Sequence, residues 1–154
     1  MAESSRRAAK SPRKGGLPNA LFVVASAERL PTELHGVADE LAIQFPWGSL
    51  LRGTLALDDD AARGIAALLK PGAQAFATFS IEERDGLDLP ALDDPGLAAR
   101  WCRFGLEVCS LRPATAEDLH AMSSSWARRL GAGRERIAWR LELERPYDAI
   151  ATRG

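Results

Sequence analysis

Three short stretches bring together residue types that can hold a flat ring or a phosphate. In Phe45-Pro-Trp-Gly-Ser-Leu-Leu-Arg52, the tryptophan lies on a Pro/Gly turn. A ring held on a rigid turn suits stacking on a base; folded back over the core, the same ring would only pack. In Ala25-Ser-Ala-Glu28, a carboxylate follows an apolar run, where it can accept from an adenine amine or serve as an N-terminal helix residue ahead of Leu30-Pro31. The third stretch is Ser123-Ser-Ser-Trp-Ala-Arg-Arg-Leu130, with Arg134 and Arg136 beyond it. Leu119, Met122, Trp126 and Leu130 recur at helical spacing, which fits a core tryptophan, and the serines fit a helix cap. Alternatively, Arg128, Arg129, Arg134 and Arg136 neutralise phosphates while Trp47 and Trp126 clamp a base turned out of its helix.

Other chemistries find less support. His35 and His120 are isolated from any nucleophile, which argues against a Ser-His-Asp hydrolase. Cys102 and Cys109 have no CxxC partners, so no zinc site or disulfide framework is expected, and reduced cytosolic thiols are the simplest account. Asp85, Asp88, Asp93 and Asp94 read as an acidic loop rather than a paired-carboxylate site. Asp58-Asp59-Asp60 precedes a helical pattern and reads as cap and dipole partners rather than metal ligands. Neither a GxGxxG-like run nor a P-loop is present.

The elements that must position these residues alternate in period. The chain has 154 residues, 46% hydrophobic and 27% charged, which suffices for one domain with a sizeable core. Ser4 to Lys10 reads as an exposed, alanine-rich helix closed by Ser11, Pro12 and Gly15-Gly16. Ala20-Leu-Phe-Val-Val-Ala25 and Leu41-Ala-Ile-Gln-Phe45 read as buried parallel strands. Ala61, Ala62, Ile65, Ala66, Leu68 and Leu69 form a helical stripe stopped by Lys70-Pro71-Gly72. Ala73 to Phe79 is a third strand, and Ser80 to Gly96 a polar loop. Pro95 to Phe104 predicts a helix and Leu106 to Leu111 a strand; Thr115 with Asp118 opens a further helix in capping-box style. Ile137 to Glu144 alternates with period 2, the mark of a strand with one wet face, often antiparallel. Strands alternating with helices make an α/β sheet of βαβ units. The chain divides into a basic helix and linker at 1–19, a single domain, and a tail at 146–154.

Charge is uneven although 20 basic residues face 21 acidic ones. Arg6, Arg7, Lys10, Arg13 and Lys14 oppose only Glu3 near the start, and five arginines oppose Glu135 between Arg128 and Arg140. Such asymmetry fits a polyanion-binding face, and equally a solvated one. No run approaches the roughly 18 apolar residues of a membrane span, and no secretory signal pattern is present. A cytoplasmic protein without membrane contact is expected.

Together, Ala27-Glu28, Phe45-Pro-Trp-Gly-Ser49 and Ser123-Ser-Ser-Trp126 resemble the 16S rRNA (adenine(1408)-N(1))-methyltransferases, the kanamycin and apramycin resistance enzymes. The resemblance runs from the N-terminal helix to about Arg145. It implies a class I, S-adenosylmethionine-dependent, Rossmann-like sheet, mostly parallel with one antiparallel strand. By motif, Ala27 and Glu28 would lie by the adenine end of the cofactor. Gln44, Phe45, Pro46, Trp47, Gly48 and Ser49 would line the cofactor and target pocket, with Ser124, Ser125 and Trp126 beside them. Trp47 and Trp126 would sandwich the flipped adenine. Arg136, with Arg128, Arg129 and Arg134, would contact rRNA, and Arg6, Arg7, Lys10 and Arg13 would extend that basic surface. The implied partner is 16S rRNA in the 30S subunit, met by a monomer.

The resemblance also explains which groups are absent. Adenine N1 carries an in-plane lone pair, so its methylation needs no general base, and positioning is the main task. Enzymes of the exocyclic amine place Asp or Asn where this chain has Phe45, which favours the ring nitrogen. Family members carry a glycine-rich turn after the first strand and a ribose-binding acid after the second. Neither is in this sequence, and the expectation is an N-terminally truncated domain lacking the first strand, helix and second strand, binding cofactor poorly. An inactive RNA-binding fragment is the alternative reading.

Overall fold

The computed structural model describes residues 6, 10–17, 19–87, 95–121 and 137–147. Four strands, β1 (Ala38–Gln44), β2 (Leu69–Phe79), β3 (Glu107–Pro113) and β4 (Trp139–Glu144), form one sheet in the order β1-β2-β4-β3. β1 and β2 run parallel, and β4 lies antiparallel between β2 and β3. The one-faced alternation at the end of the sequence is therefore the antiparallel strand it suggested. Around it are α1 (Gly48–Thr54), α2 (Asp59–Leu68), α3 (Pro95–Cys102) and α4 (Ala116–Ala121).

Register follows from the side-chain period of 2. Ala75, Ala77, Leu141, Leu143 and Leu111 meet in cross-strand rows on one face. There they join Ala62, Ile65 and Ala66 of α2 and Leu97 and Trp101 of α3 in a single core. The other face carries Phe76, Thr78, Ser110, Arg112, Arg140 and Glu142. Val108 reaches the core side because the β3–β4 register shifts between Val108 and Ser110, leaving Cys109 as the extra residue of a bulge.

Asp58 caps α2, its carboxylate accepting from the Ala61 N–H at 3.1 Å, so the aspartate run starts a helix as its position implies. The helix ends at Leu68, but Lys70-Pro71-Gly72 is no loop: it lies within β2, where register against β1 is irregular. Arg145 holds this junction by donating to the Ala66 and Leu69 carbonyls at 3.1 and 2.7 Å, satisfying acceptors at the helix end. The polar stretch after β2 contains a 3-10 turn at Glu83–Asp85 with a reciprocal capping box.

One strand expectation fails. Ala20 to Ala25 has no sheet partner, and Leu21 and Val24 are 84% and 77% exposed. A buried parallel strand needs a neighbour to take up its backbone N–H and C=O groups. Among the described residues no strand lies beyond β1, so hydrophobicity alone cannot recruit this run into the sheet. Of the N-terminal helix, Arg6 is helical and the rest lies outside the described residues, apart from Lys10.

Candidate functional site

Strand directions gather the chemically interesting segments at one rim. β1, β2 and β3 end there, and β4 begins there, with Gln44 beside Thr78 and Pro113 beside Trp139. At the end of β1 the chain turns sharply. Phe45 donates its N–H to the Thr78 carbonyl at 2.7 Å and adopts φ 46°, in the left-handed region. For a bulky residue ahead of proline this conformation costs about 1–3 kcal/mol, and such strain concentrates at functional sites. Pro46 is buried, and Gly48 supplies a second positive φ, 59°, entering α1. Leu51 is buried and Leu50 packs against the core, fixing the helix beneath the turn.

Between these anchors Trp47 points away from the core and is 84% exposed. The two readings of this ring are thereby separated: it is presented, not packed. The turn that carries it was foreseen, whereas α1 immediately behind it was not, because seven residues are too few to display a helical stripe.

Ala27–Arg29 forms a 3-10 turn rather than the start of a longer helix. The Ser49 hydroxyl, donating to Glu28, holds its carboxyl below the usual carboxylate range; its own backbone N–H, the Ser26 hydroxyl and the Arg29 charge act in the same direction. The Glu28 turn and the start of α1, 21 residues apart in number, thus lie side by side. Nothing in the sequence pattern announced that approach. An ionised, accessible carboxylate beside a hydroxyl and an exposed indole can accept N–H or O–H donors from a nucleoside, and so fits the adenine end of a nucleoside cofactor.

Further along the rim, Thr115 and Asp118 form the capping box expected of them: Asp118 accepts from the Thr115 N–H at 2.7 Å, and Thr115 Oγ1 accepts from the Asp118 N–H at 3.2 Å. The same carboxylate takes a bidentate pair from Arg112 at 2.6 and 3.1 Å. Arg140 Nε lies 3.5 Å from Asp118 and 2.9 Å from Glu142, with its guanidinium 4.6 Å from the Phe76 ring centroid. α4 is therefore pinned to β3 and β4. Ala121 and Ile137 border residues 122–136 on either side; Ser124, Ser125, Trp126, Arg128, Arg129, Arg134 and Arg136 lie outside the described residues.

The Arg112 pairing holds the Asp118 carboxyl well below its ordinary range, assisted by Thr115. A depressed carboxylate contributes stability above its unfolded-state pKa, and that contribution is lost as pH falls through the folded one. Asp118→Asn is expected to cost about 2 kcal/mol at neutral pH and to flatten the loss of stability below about pH 4. Thermal unfolding of both chains across pH 2 to 7, as round limits of that window, checks it.

Sequence reasoning missed Gly64. A Cβ there would lie 1.8 Å from the Ala27 carbonyl oxygen, so α2 touches the Glu28 turn at a point where only glycine fits. A glycine inside a helical stripe was the available signal.

A mixed sheet in this order, with one antiparallel strand and its polar residues at the strand-end rim, is that of a class I S-adenosylmethionine-dependent methyltransferase. Over residues 1–144 the chain matches the family NpmA, 16S rRNA (adenine(1408)-N(1))-methyltransferase, and it belongs to that family. The 16S rRNA (adenine(1408)-N(1))-methyltransferase of Streptoalloteichus hindustanus is 39% identical over 146 residues, spanning 89% of this chain and 67% of the relative. The crystal structure of the 16S rRNA methyltransferase KamB superposes with a TM-score of 0.80 at 36% identity, over 95% of this chain and 72% of that one. A tryptophan-to-alanine mutant of the Catenulisporales acidiphilia enzyme, solved with the cosubstrate SAM, gives 0.78 and 37%, over 95% and 70%. Among the described residues no helix is long and apolar enough to cross a membrane.

Proposed function

We propose that the rim of this sheet serves S-adenosylmethionine-dependent N1 methylation of an adenine in the 16S rRNA decoding site, in the cytoplasm, with aminoglycosides such as kanamycin and apramycin as the drugs resisted. The observation that carries it is the presentation of Trp47 on the strained strand-end turn, two residues before Ser49, which lies beside Glu28. The family match supports the reaction class.

Bound S-adenosylmethionine supplies the electrophilic methyl group. Ala27 and Glu28 lie by its adenine end, and Gln44, Phe45, Pro46, Trp47, Gly48 and Ser49 line the cofactor and target pocket. Glu28 accepts from donors there, and Ser49 keeps that carboxylate aimed. Trp47 stacks on the target adenine, with Trp126 as the opposite wall and Ser124 and Ser125 supporting base and cofactor. Stacking offsets the cost of turning the base out of its helix. Since the N1 lone pair attacks without losing a proton, the site needs no general base; a titratable acid or base is dispensable and orientation carries the rate. Phe45 leaves no acceptor at the position that would hold an exocyclic amine. Arg128, Arg129, Arg134 and Arg136 pair with rRNA phosphates. The chain acts as a monomer on the 30S subunit.

The test is methyl transfer from labelled S-adenosylmethionine to 30S subunits, run on this chain and on one extended by upstream in-frame codons. Transfer that is lost on Trp126→Ala supports the enzyme. A folded protein with bound cofactor and no transfer in either form defeats it and favours RNA binding without catalysis.

A further inference from the structure

We propose that Gly64 is a positioning residue of the cofactor site: by letting α2 touch the Ala27 backbone, it sets where the Glu28 carboxylate stands relative to α1. This rests on the proposed use of Glu28 toward the adenosyl end of S-adenosylmethionine.

Two close contacts place three segments against one another. On α1, a Cβ at Gly53 would lie 2.5 Å from the Ala61 Cβ on α2. On α2, a Cβ at Gly64 would lie 1.8 Å from the Ala27 oxygen and 2.8 Å from its carbonyl carbon. Ala61 and Gly64 are three residues apart and share a helical face. That face therefore receives both α1 and the Ala27–Arg29 turn. On α1, Ser49 and Gly53 are four apart and likewise share a side: Gly53 meets α2, and the Ser49 side chain, beside Glu28, lowers its pKa. α2 thus packs against both α1 and the Ala27–Arg29 turn, and its contacts fix how Glu28 and Ser49 stand relative to each other.

Gly64 is buried in the middle of a ten-residue helix, where glycine is a poor choice on propensity alone and alanine is preferred. A backbone oxygen cannot rotate aside as a side chain would. With alanine at 64, the Ala27 carbonyl must retreat from 1.8 Å to beyond 3.0 Å. Glu28 follows Ala27 directly in the chain and moves with it, and an ångström of misplacement at a binding constellation costs up to about 100-fold.

The experiment compares Gly64→Ala with the wild-type chain in three readouts: the Kd for S-adenosylmethionine by equilibrium dialysis, the thermal transition, and the Glu28 carboxyl titration followed by 13C NMR. The expected result is binding weaker by about 10- to 100-fold, a thermal transition that stays cooperative but at lower temperature, since the helix gain from alanine is outweighed by the displaced Ala27 backbone, and a Glu28 titration returned toward the ordinary carboxylate range. Gly64→Ala added to Glu28→Gln is expected to weaken binding less than about two-fold further, because the two act through one group. Ser49→Ala, which loosens Glu28 without adding an atom to α2, is expected to weaken binding in the same direction. Equal binding by wild type and Gly64→Ala overturns this inference alone, as do multiplying effects in the double variant. A Gly64→Ala chain without a cooperative transition marks packing only and also overturns it. If the wild-type chain binds no S-adenosylmethionine, the cofactor reading fails and this inference fails with it.

Discussion

Trp47→Ala is expected to lower methyl transfer to 30S subunits about 5- to 150-fold, the worth of one base–aromatic stack of about 1–3 kcal/mol. Stability should change by less than about 0.5 kcal/mol, because the ring is 84% exposed and leaves no cavity when removed. The turn beneath it stays in place, since the Phe45 N–H bond to Thr78, buried Pro46 and Leu51 are untouched. Trp47→Phe keeps a smaller face and should retain most of the activity. Acrylamide quenching provides an independent check: replacing Trp47 with phenylalanine should remove a strongly quenchable component of the emission. A thermal shift as large as the activity loss would show that the ring supports the fold and would defeat the stacking role.

Trp101→Ala has the opposite signature. This ring is fully buried, at 0% exposure, with the Phe104 ring edge-on at 6.1 Å between centroids. Truncating it leaves a cavity between α3 and the sheet, at about 3–5 kcal/mol. That is a large fraction of the roughly 5–15 kcal/mol that holds a domain folded. Denaturant unfolding should register it as a fall in midpoint, or as a chain that no longer unfolds cooperatively. The indole Nε1 has no hydrogen-bond partner among the described residues, so Trp101→Phe, which deletes that donor and keeps a ring, should cost much less. A midpoint unchanged in Trp101→Ala would contradict the core described above.

The contrast between these two tryptophans shows where local pattern suffices. Trp101 lies in the helix predicted over Pro95 to Phe104 and Trp47 on a Pro/Gly turn; the burial of one ring and the presentation of the other were decided by tertiary packing, whereas both elements are legible in neighbouring residues. The antiparallel β4, the Asp58 cap and the Thr115–Asp118 box belong to the same class, each being settled within a few residues. The resemblance carried by Ala27-Glu28, Phe45-Pro-Trp-Gly-Ser49 and Ser123-Ser-Ser-Trp126 was enough to reach the methyltransferase family. Three features depended on segments meeting in space. Ala20 to Ala25 has the composition of a strand yet stays out of the sheet, because pairing requires a neighbour that composition cannot supply. Glu28, on its 3-10 turn, comes beside Ser49 on α1, and Gly64 lets Ala27 approach α2. Distances between backbones are set by close packing of whole elements, so contacts of this kind have no signature in the order of residues along the chain.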